Sequence, residues 1–246
     1  MSAPVTTYLN KGNITYDEAL WFQQSLRDGI LQKKQNEIAT RDDNVLILCE
    51  HPPVLTFGSS AKAHELFIPR EQLQCLGIDI RDIRRGGAIT FHGPGQIVGY
   101  PVLDLEQFKT DVRWYIQSLS EVIIRTLSDY QITGYYDPEY PGVWILDQNT
   151  RQKKKICAIG VHLSRWVSNH GFAFNVCNSM DYYRYFVPCG ITQTNRVITT
   201  LQNELNYPVD MEEVKERILR HFRDVLETTL LVKEPQPSKV YFYENF

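Results

Sequence analysis

Apolar residues recur along this chain at two spacings, and the spacing switches repeatedly. Ala19, Phe22, Leu26 and Ile30 fall three or four residues apart, which predicts an amphipathic helix. Thr15 and Glu18 stand just ahead of that run in the capping-box pattern, where each side chain satisfies the other residue's backbone N–H. Val112, Ile116, Leu119, Ile123 and Leu127 predict a second helix. A third begins at Asp210 and carries Val214, Ile218, Phe222 and Val225 on one face, with a short helix before it near "RVITTLQNEL".

Elsewhere the apolar runs are short. "NVLILCE" followed by "HPP" predicts a buried strand and a turn, and "PVLTFG" a strand ending in glycine. "IDIRDIRRGGAITFHGPGQIVGYPVLDL" reads as strands interrupted by glycine-rich turns. "GVWIL", "KICAIGVHL" and "GFAFNV" read as strands, with "DQNTRQKK" as a hairpin loop between the first two. Strands follow one another as hairpins, with helices before, between and after. The expected fold class is α+β, a mixed, largely antiparallel sheet with packed helices. Strict β-α-β alternation is absent, which argues against a Rossmann fold. No repeat, low-complexity stretch or interdomain linker divides the chain, so one domain is expected over residues 1–246, with 229–246 a C-terminal tail to which no role is assigned.

Composition narrows the classes. The chain has 246 residues, enough to bury a proper core. Hydrophobic residues make up 43% and charged residues 22%, an ordinary globular balance. A formal net charge of -3 demands neither nucleic acid nor an anionic membrane as partner. The first residues lack the apolar stretch of a signal peptide, and no run reaches the roughly 20 apolar residues of a membrane span. The chain therefore reads as cytosolic. Its five cysteines include no C-x-x-C pair, which argues against a disulfide framework or a zinc knuckle.

Three segments carry candidate chemistry. "RRGGAITFHGPGQ", Arg84 to Gln96, sets two arginines before two glycines and His92 before another glycine. Such a segment brings bare backbone close to a substrate, or else forms only tight turns at a basic edge. It is not a P-loop, because no Gly-Lys-Ser/Thr follows. "KKKICAIGVHLSRWVSNHGFAFNV" opens on three lysines. Lys153 and Lys154 read as a solvated hairpin tip. Lys155 directly precedes an apolar strand, where a desolvated amine can serve as a base.

The third segment is "YFVPCGIT". Cysteine is among the most buried residue types, and Cys49, Cys157 and Cys177 fall in strand patterns that suit that reading. Cys75 sits near a turn and is uninformative. Cys189 alone lies between a proline and a glycine, with the access a nucleophile needs. A thiolate also needs a cation or base nearby. By residue type His51, His64, His92, His162, His170 and His221 all qualify, and His92 and His170, each before a glycine, are placed to line a pocket.

Taken together, "LCEHPPVLTFG", "RRGGAITFHGPGQ", "KKICAIGVHLSRWVSNHGFAFNV" and "FVPCGIT" resemble, in order and spacing, the octanoyltransferases of lipoate assembly, the lipoate–protein ligase B family. The match runs from about Leu46 to about Ile191 and is highly specific in its Arg-Gly-Gly and His-Gly-Pro-Gly-Gln strings. The resemblance implies the α+β fold of biotin and lipoate protein ligase catalytic domains. It implies transfer of octanoyl from acyl carrier protein to a lysine of lipoyl domains, among them the glycine-cleavage carrier protein and the acyltransferase subunits of 2-oxoacid dehydrogenases. No ATP, metal or other cofactor is implied. The family's acyl-thioester cysteine falls on Cys189, and the lysine that activates it on Lys155. The acyl pocket falls on Arg85, Gly86, Gly87, Ala88, Ile89, Thr90, Phe91 and His92, on Ala158, Ile159 and Gly160, and on Gly171, Phe172 and Ala173. By charge, Arg84, Arg85, Lys153 and Lys154 are expected to meet an acidic carrier protein. Two rival readings are an ATP-dependent ligase on the same fold and a non-catalytic docking module.

Overall fold

The computed structural model describes residues 3–38, 42–188 and 195–232. In chain order it begins with β1 (Val5–Asn13), α1 (Tyr16–Gln35), β2 (Asn44–Glu50), β3 (Val54–Phe57), α2 (Arg70–Cys75) and β4 (Asp79–Asp82). Then come β5 (Ile89–His92), β6 (Gln96–Val102), α3 (Val112–Ser128), β7 (Gly134–Tyr136) and β8 (Gly142–Leu146). The last part comprises β9 (Lys153–Ser164), β10 (Val167–Asn175), β11 (Arg196–Ile198), α4 (Leu201–Leu205), α5 (Met211–Leu226) and β12 (Thr229–Val232).

Among the described residues the main sheet runs β12-β1-β2-β6-β10-β9-β8-β7, with β11 added beside β9. The five pairings from β2 to β7 are antiparallel, whereas β12 and β2 flank β1 in parallel and β11 joins β9 in parallel. A second sheet, β4-β3-β5, stands beside it. The fold is thus α+β, with a largely antiparallel sheet and packed helices.

Local sequence explains the helices. Thr15 caps α1, accepting from the Glu18 N–H while the Glu18 carboxylate accepts from the Thr15 N–H. Asp111 caps α3 and Asp210 caps α5. The two faces of the main sheet explain why "NVLILCE" is apolar without alternation. Leu46 and Leu48 pack into the core beneath α3 and α5, while Val45, Ile47 and Cys49 pack beneath α1. The small sheet has a core of its own, built on Leu55, Phe57, Leu73, Ile78, Ile89, Phe91 and Phe186. Asp129, at the end of α3, gathers Arg217, Arg220 and His221 of α5 and locks the two helices together.

Some local expectations are corrected. Arg196–Ile198 is a strand, and the short helix begins only at Leu201. Lys153 and Lys154 lie in β9 rather than at a solvated tip, and both are in ion pairs, Lys153 with Asp137 and Lys154 with Asp147 and Glu204. Cys177 lies just past the end of β10. The segment from 229 contributes an edge strand, with Thr229 to Val232 registered against Val5 to Tyr8.

Candidate active site

Register alone assembles a floor of small residues. Ala158 of β9 faces Ala173 of β10, and Gly160 faces Gly171 in the next row but one. Val98 of β6 extends the first row by pairing with Ala173. No large side chain rises from this patch, so a hollow remains above it. The loop from Arg85 to Ala88 closes over that hollow. A Cβ built on Gly160 would stand 2.9 Å from the Gly86 carbonyl oxygen, so only glycine lets the loop approach so closely.

The resulting cavity has a volume of about 590 Å³. Arg85, Gly86, Gly87, Ala88, Thr90 and His92 line it from the loop and β5, Ala158, Ile159 and Gly160 from β9, and Gly171, Phe172 and Ala173 from β10. Lys155, Tyr16, Tyr100 and His170 border it as well. Ile89 and Phe91 do not. Strand alternation turns them away from Thr90 and His92 and into the core of the small sheet. They border a separate void of about 20 Å³, which Lys155 and Pro188 also line.

Arg85 is 7% exposed, so its expected place on a docking surface is corrected. Its guanidinium donates to the carbonyls of Thr56, Gly86 and Ala88 and to the Thr56 hydroxyl. A glycine-rich loop lacks side chains to satisfy its own carbonyls; one buried guanidinium does it for Gly86 and Ala88 and ties them to the Thr56 carbonyl of β3. Arg85→Leu removes those donors together. The expected cost is about 2–4 kcal/mol, a fall of about 5–15 °C in melting temperature for a domain of this size. Thermal denaturation checks it, and an unchanged midpoint refutes the stapling role. Of the four basic residues expected at the mouth, only Arg84 is exposed.

The histidines at this cavity are neutral. His92 is stacked on Tyr16 at 5.8 Å, shares a hydrogen bond with Gln96 at 2.9 Å, and meets His51 edge-on. Burial, then the neighbouring His51 and Arg85, hold it well below the ordinary imidazole value. Burial and the Arg85 charge hold His170 at about 3. Neither supplies the positive charge that a thiolate needs. His51 lies behind His92, bonded to the Tyr100 hydroxyl and the Ile14 carbonyl at 2.8 Å each.

Lys155 is 3% exposed. Its ammonium lies 5.4 Å from the centre of the Trp144 ring, and no ion pair holds it among the described residues. The backbone there is shared three ways. Lys155 pairs with Trp144 of β8 and Ile198 of β11, and its carbonyl accepts from the Thr199 N–H. Gly142 packs against its stem: a Cβ at that position would stand 2.7 Å from Lys155 Cε.

Cys189 lies outside the described residues. The chain leading to it is tied down. Phe67 donates its N–H to the Tyr185 carbonyl, Val187 donates to the Glu65 carbonyl, and Leu66 pairs with Phe186. Pro188, the residue before Cys189, ends that segment at the void lined by Lys155. Among the other cysteines, Cys49 and Cys157 are buried, Cys177 is partly buried and Cys75 is exposed. Burial pushes the Cys49 thiol well up, which makes it inert.

Sequence reasoning missed Tyr16 and Tyr100 as cavity residues, and Arg196. The Arg196 guanidinium bonds Asp137 at 3.0 Å and Glu139 at 2.7 Å, and lies over Tyr140 and Trp144. It thereby fixes the segment whose Tyr140 and Pro141 wall the cavity. Only the position of Tyr16, directly after the capping threonine, offered any signal.

Comparison with known proteins places this geometry. The family model described as the lipoyl protein ligase A/B catalytic domain matches residues 8–223. A protein of Cytophaga hutchinsonii named octanoyltransferase is 42% identical over 88% of this chain and 90% of its own length. Another of that name from Flavobacterium psychrophilum is 42% identical over 90% of this chain and 94% of its own. Among solved structures, one describing a bipartite lipoate protein ligase and its E2 lipoyl domain from Thermoplasma acidophilum aligns with TM-score 0.66 at 15% identity, covering 97% of this chain and 89% of the other. A lipoate-protein ligase A bound with ATP aligns with TM-score 0.66 at 14% identity, covering 94% and 89%. At those identities the structural likeness speaks for the fold. Among the described residues no helix is long and apolar enough to cross a membrane. With a family model covering most of the chain and relatives above 40% identity over nearly all of it, the chain belongs to the lipoyl protein ligase A/B catalytic domain family, among its octanoyltransferases.

Proposed function

We propose that this acyltransferase moves octanoyl from octanoyl-acyl carrier protein to a specific lysine of lipoyl domains through a thioester on Cys189. The observation that carries the reading is the shared void: Lys155, a buried cation, and Pro188, the residue before Cys189, border it together beside the large cavity. The acceptors are lipoyl-domain proteins such as the glycine-cleavage carrier protein and the acyltransferase subunits of 2-oxoacid dehydrogenases.

The Lys155 ammonium favours the Cys189 thiolate by its charge. The thiolate attacks the octanoyl carbonyl carbon. A new carbon–sulfur bond forms, the bond to the carrier's thiol breaks, and the departing sulfur takes a proton from Lys155. The acceptor amine then attacks the acyl-enzyme. A carbon–nitrogen bond forms, Lys155 takes the amine's proton, and Cys189 leaves as a thiolate, which restores the starting charges. Exchange of a thioester for an amide runs downhill and consumes no ATP. Backbone N–H groups beside the glycines stabilise the oxyanion. The floor of Ala158, Gly160, Gly171 and Ala173 seats the octanoyl chain, each buried CH₂ contributing about 0.8 kcal/mol.

Cys189→Ala is expected to form no octanoyl adduct when mixed with octanoyl-carrier protein, while the wild-type chain gains one. Intact-protein mass spectrometry reads both. A stable adduct on the variant places the nucleophile elsewhere.

A further inference from the structure

We infer that Glu65 binds the acceptor lysine's ammonium as that side chain enters the cavity. Glu65 ends the short turn Ala63–Glu65, is 8% exposed, and borders the same cavity as Lys155. The Lys62 N–H donates to its Oε2 at 3.0 Å. Among the described residues no donor meets Oε1, and no cation pairs with the carboxylate. A largely buried carboxylate whose second oxygen is left without a donor and is open to the cavity offers a place for a cation. The second carboxylate bordering the cavity, Glu139, is already held by Arg196 at 2.7 Å.

The position suits the second substrate. The Glu65 carbonyl accepts from the Val187 N–H at 2.8 Å, so Glu65 stands alongside the segment leading to Cys189. The octanoyl donor brings an uncharged thioester to the reacting atoms. The acceptor lysine has an ordinary pKa of about 10.4 and arrives as a cation. Its methylene stem suits an apolar floor, whereas its charge needs an anion. In this role Glu65 gains and loses no proton. The bound ammonium releases one proton to water, and the free amine then attacks the acyl-enzyme. Glu65 therefore governs acceptor binding more than the chemical step. This inference rests on the two-step reading with an octanoyl-enzyme.

The plainer role for this carboxylate is to cap the turn through the Lys62 N–H. Glu65→Gln separates the two, because its amide oxygen still accepts from Lys62 while the charge is gone. Octanoyl-enzyme is formed with octanoyl-carrier protein and its decay followed with a lipoyl domain and, separately, with hydroxylamine, an uncharged nucleophile at neutral pH. In the variant the KM for the lipoyl domain is expected to rise about 10- to 100-fold, with kcat within about twofold. Decay with hydroxylamine should match the wild type. An unchanged acceptor KM overturns the inference, and so does a parallel loss with hydroxylamine, which marks a disturbed site. If the wild-type chain forms no octanoyl-enzyme, it is the two-step reading that fails. The steady-state acceptor KM of the variant then still decides the role of Glu65.

Discussion

Lys155→Met is expected to lower octanoyl transfer by about 10²- to 10⁴-fold while leaving the fold intact. Methionine keeps most of the apolar stem that packs against Gly142 and Trp144, and removes only the charged end. No ion pair is broken, because none holds Lys155 among the described residues. The melting temperature should therefore hold or rise, since the buried charge no longer has to be desolvated. The chemistry suffers in both half-reactions under the proposed mechanism, since the acceptor amine also loses the base that takes its proton. The Cys189 thiolate loses its cation, and the departing carrier thiol loses its proton donor. Alkylation of Cys189 at neutral pH should slow along with turnover. Wild-type turnover in a folded variant would remove Lys155 from the mechanism, as would an unchanged alkylation rate from the thiolate-activating role.

Gly142→Ala is expected to damage both stability and activity from a single methyl group. The glycine has φ +149°, and its added Cβ would stand 2.2 Å from the Cys157 carbonyl oxygen and 2.7 Å from Lys155 Cε. The first contact is to strand backbone that cannot swing aside, so β8 and β9 must separate where Gly142 pairs with Ala158. The expected cost is about 2–4 kcal/mol, or a fall of about 5–15 °C in melting temperature. Relief of the second contact moves the Lys155 ammonium away from the void beside Pro188. Gly29 supplies the contrast. It lies inside α1, and a Cβ there meets nothing within 4 Å. Gly29→Ala should stabilise the chain by about 0.5–1 kcal/mol through the helix preference of alanine. Thermal denaturation of both variants, with transfer rates, tests the pair. A Gly142 variant as stable and active as the parent would show that β8 can yield at this point.

Parts of the fold are legible in sequence because their causes are local. The Thr15–Glu18 cap and the Asp210 cap each act within one turn of helix. The continuous run of β2 reads as a strand because both its faces are buried. β1 and β12 escape such reading. They pair with each other across more than two hundred residues, and "TLLV", at the edge of the sheet among the described residues, carries no signal of its partner. Arg85 misleads for a related reason. By type it is a surface cation, and only the packing of its loop reveals three carbonyls that need a donor.

The candidate site divides along the same line. The motif strings pick out the cavity segments and set Lys155 and Cys189 apart from their neighbours. They leave Thr90 and His92 undistinguished from Ile89 and Phe91, because a run of motif residues has no faces until strand pairing gives it two. Residue type and spacing thus determined the helices, the strands and the family, since capping, periodicity and glycine-rich turns act within a few residues. Tertiary structure alone decided which histidines are neutral, that Arg85 is a staple, that Lys155 stands without a counter-charge among the described residues, and that Glu65 shares its cavity. Those properties depend on burial and on neighbours brought together from distant parts of the chain, and no local pattern encodes them.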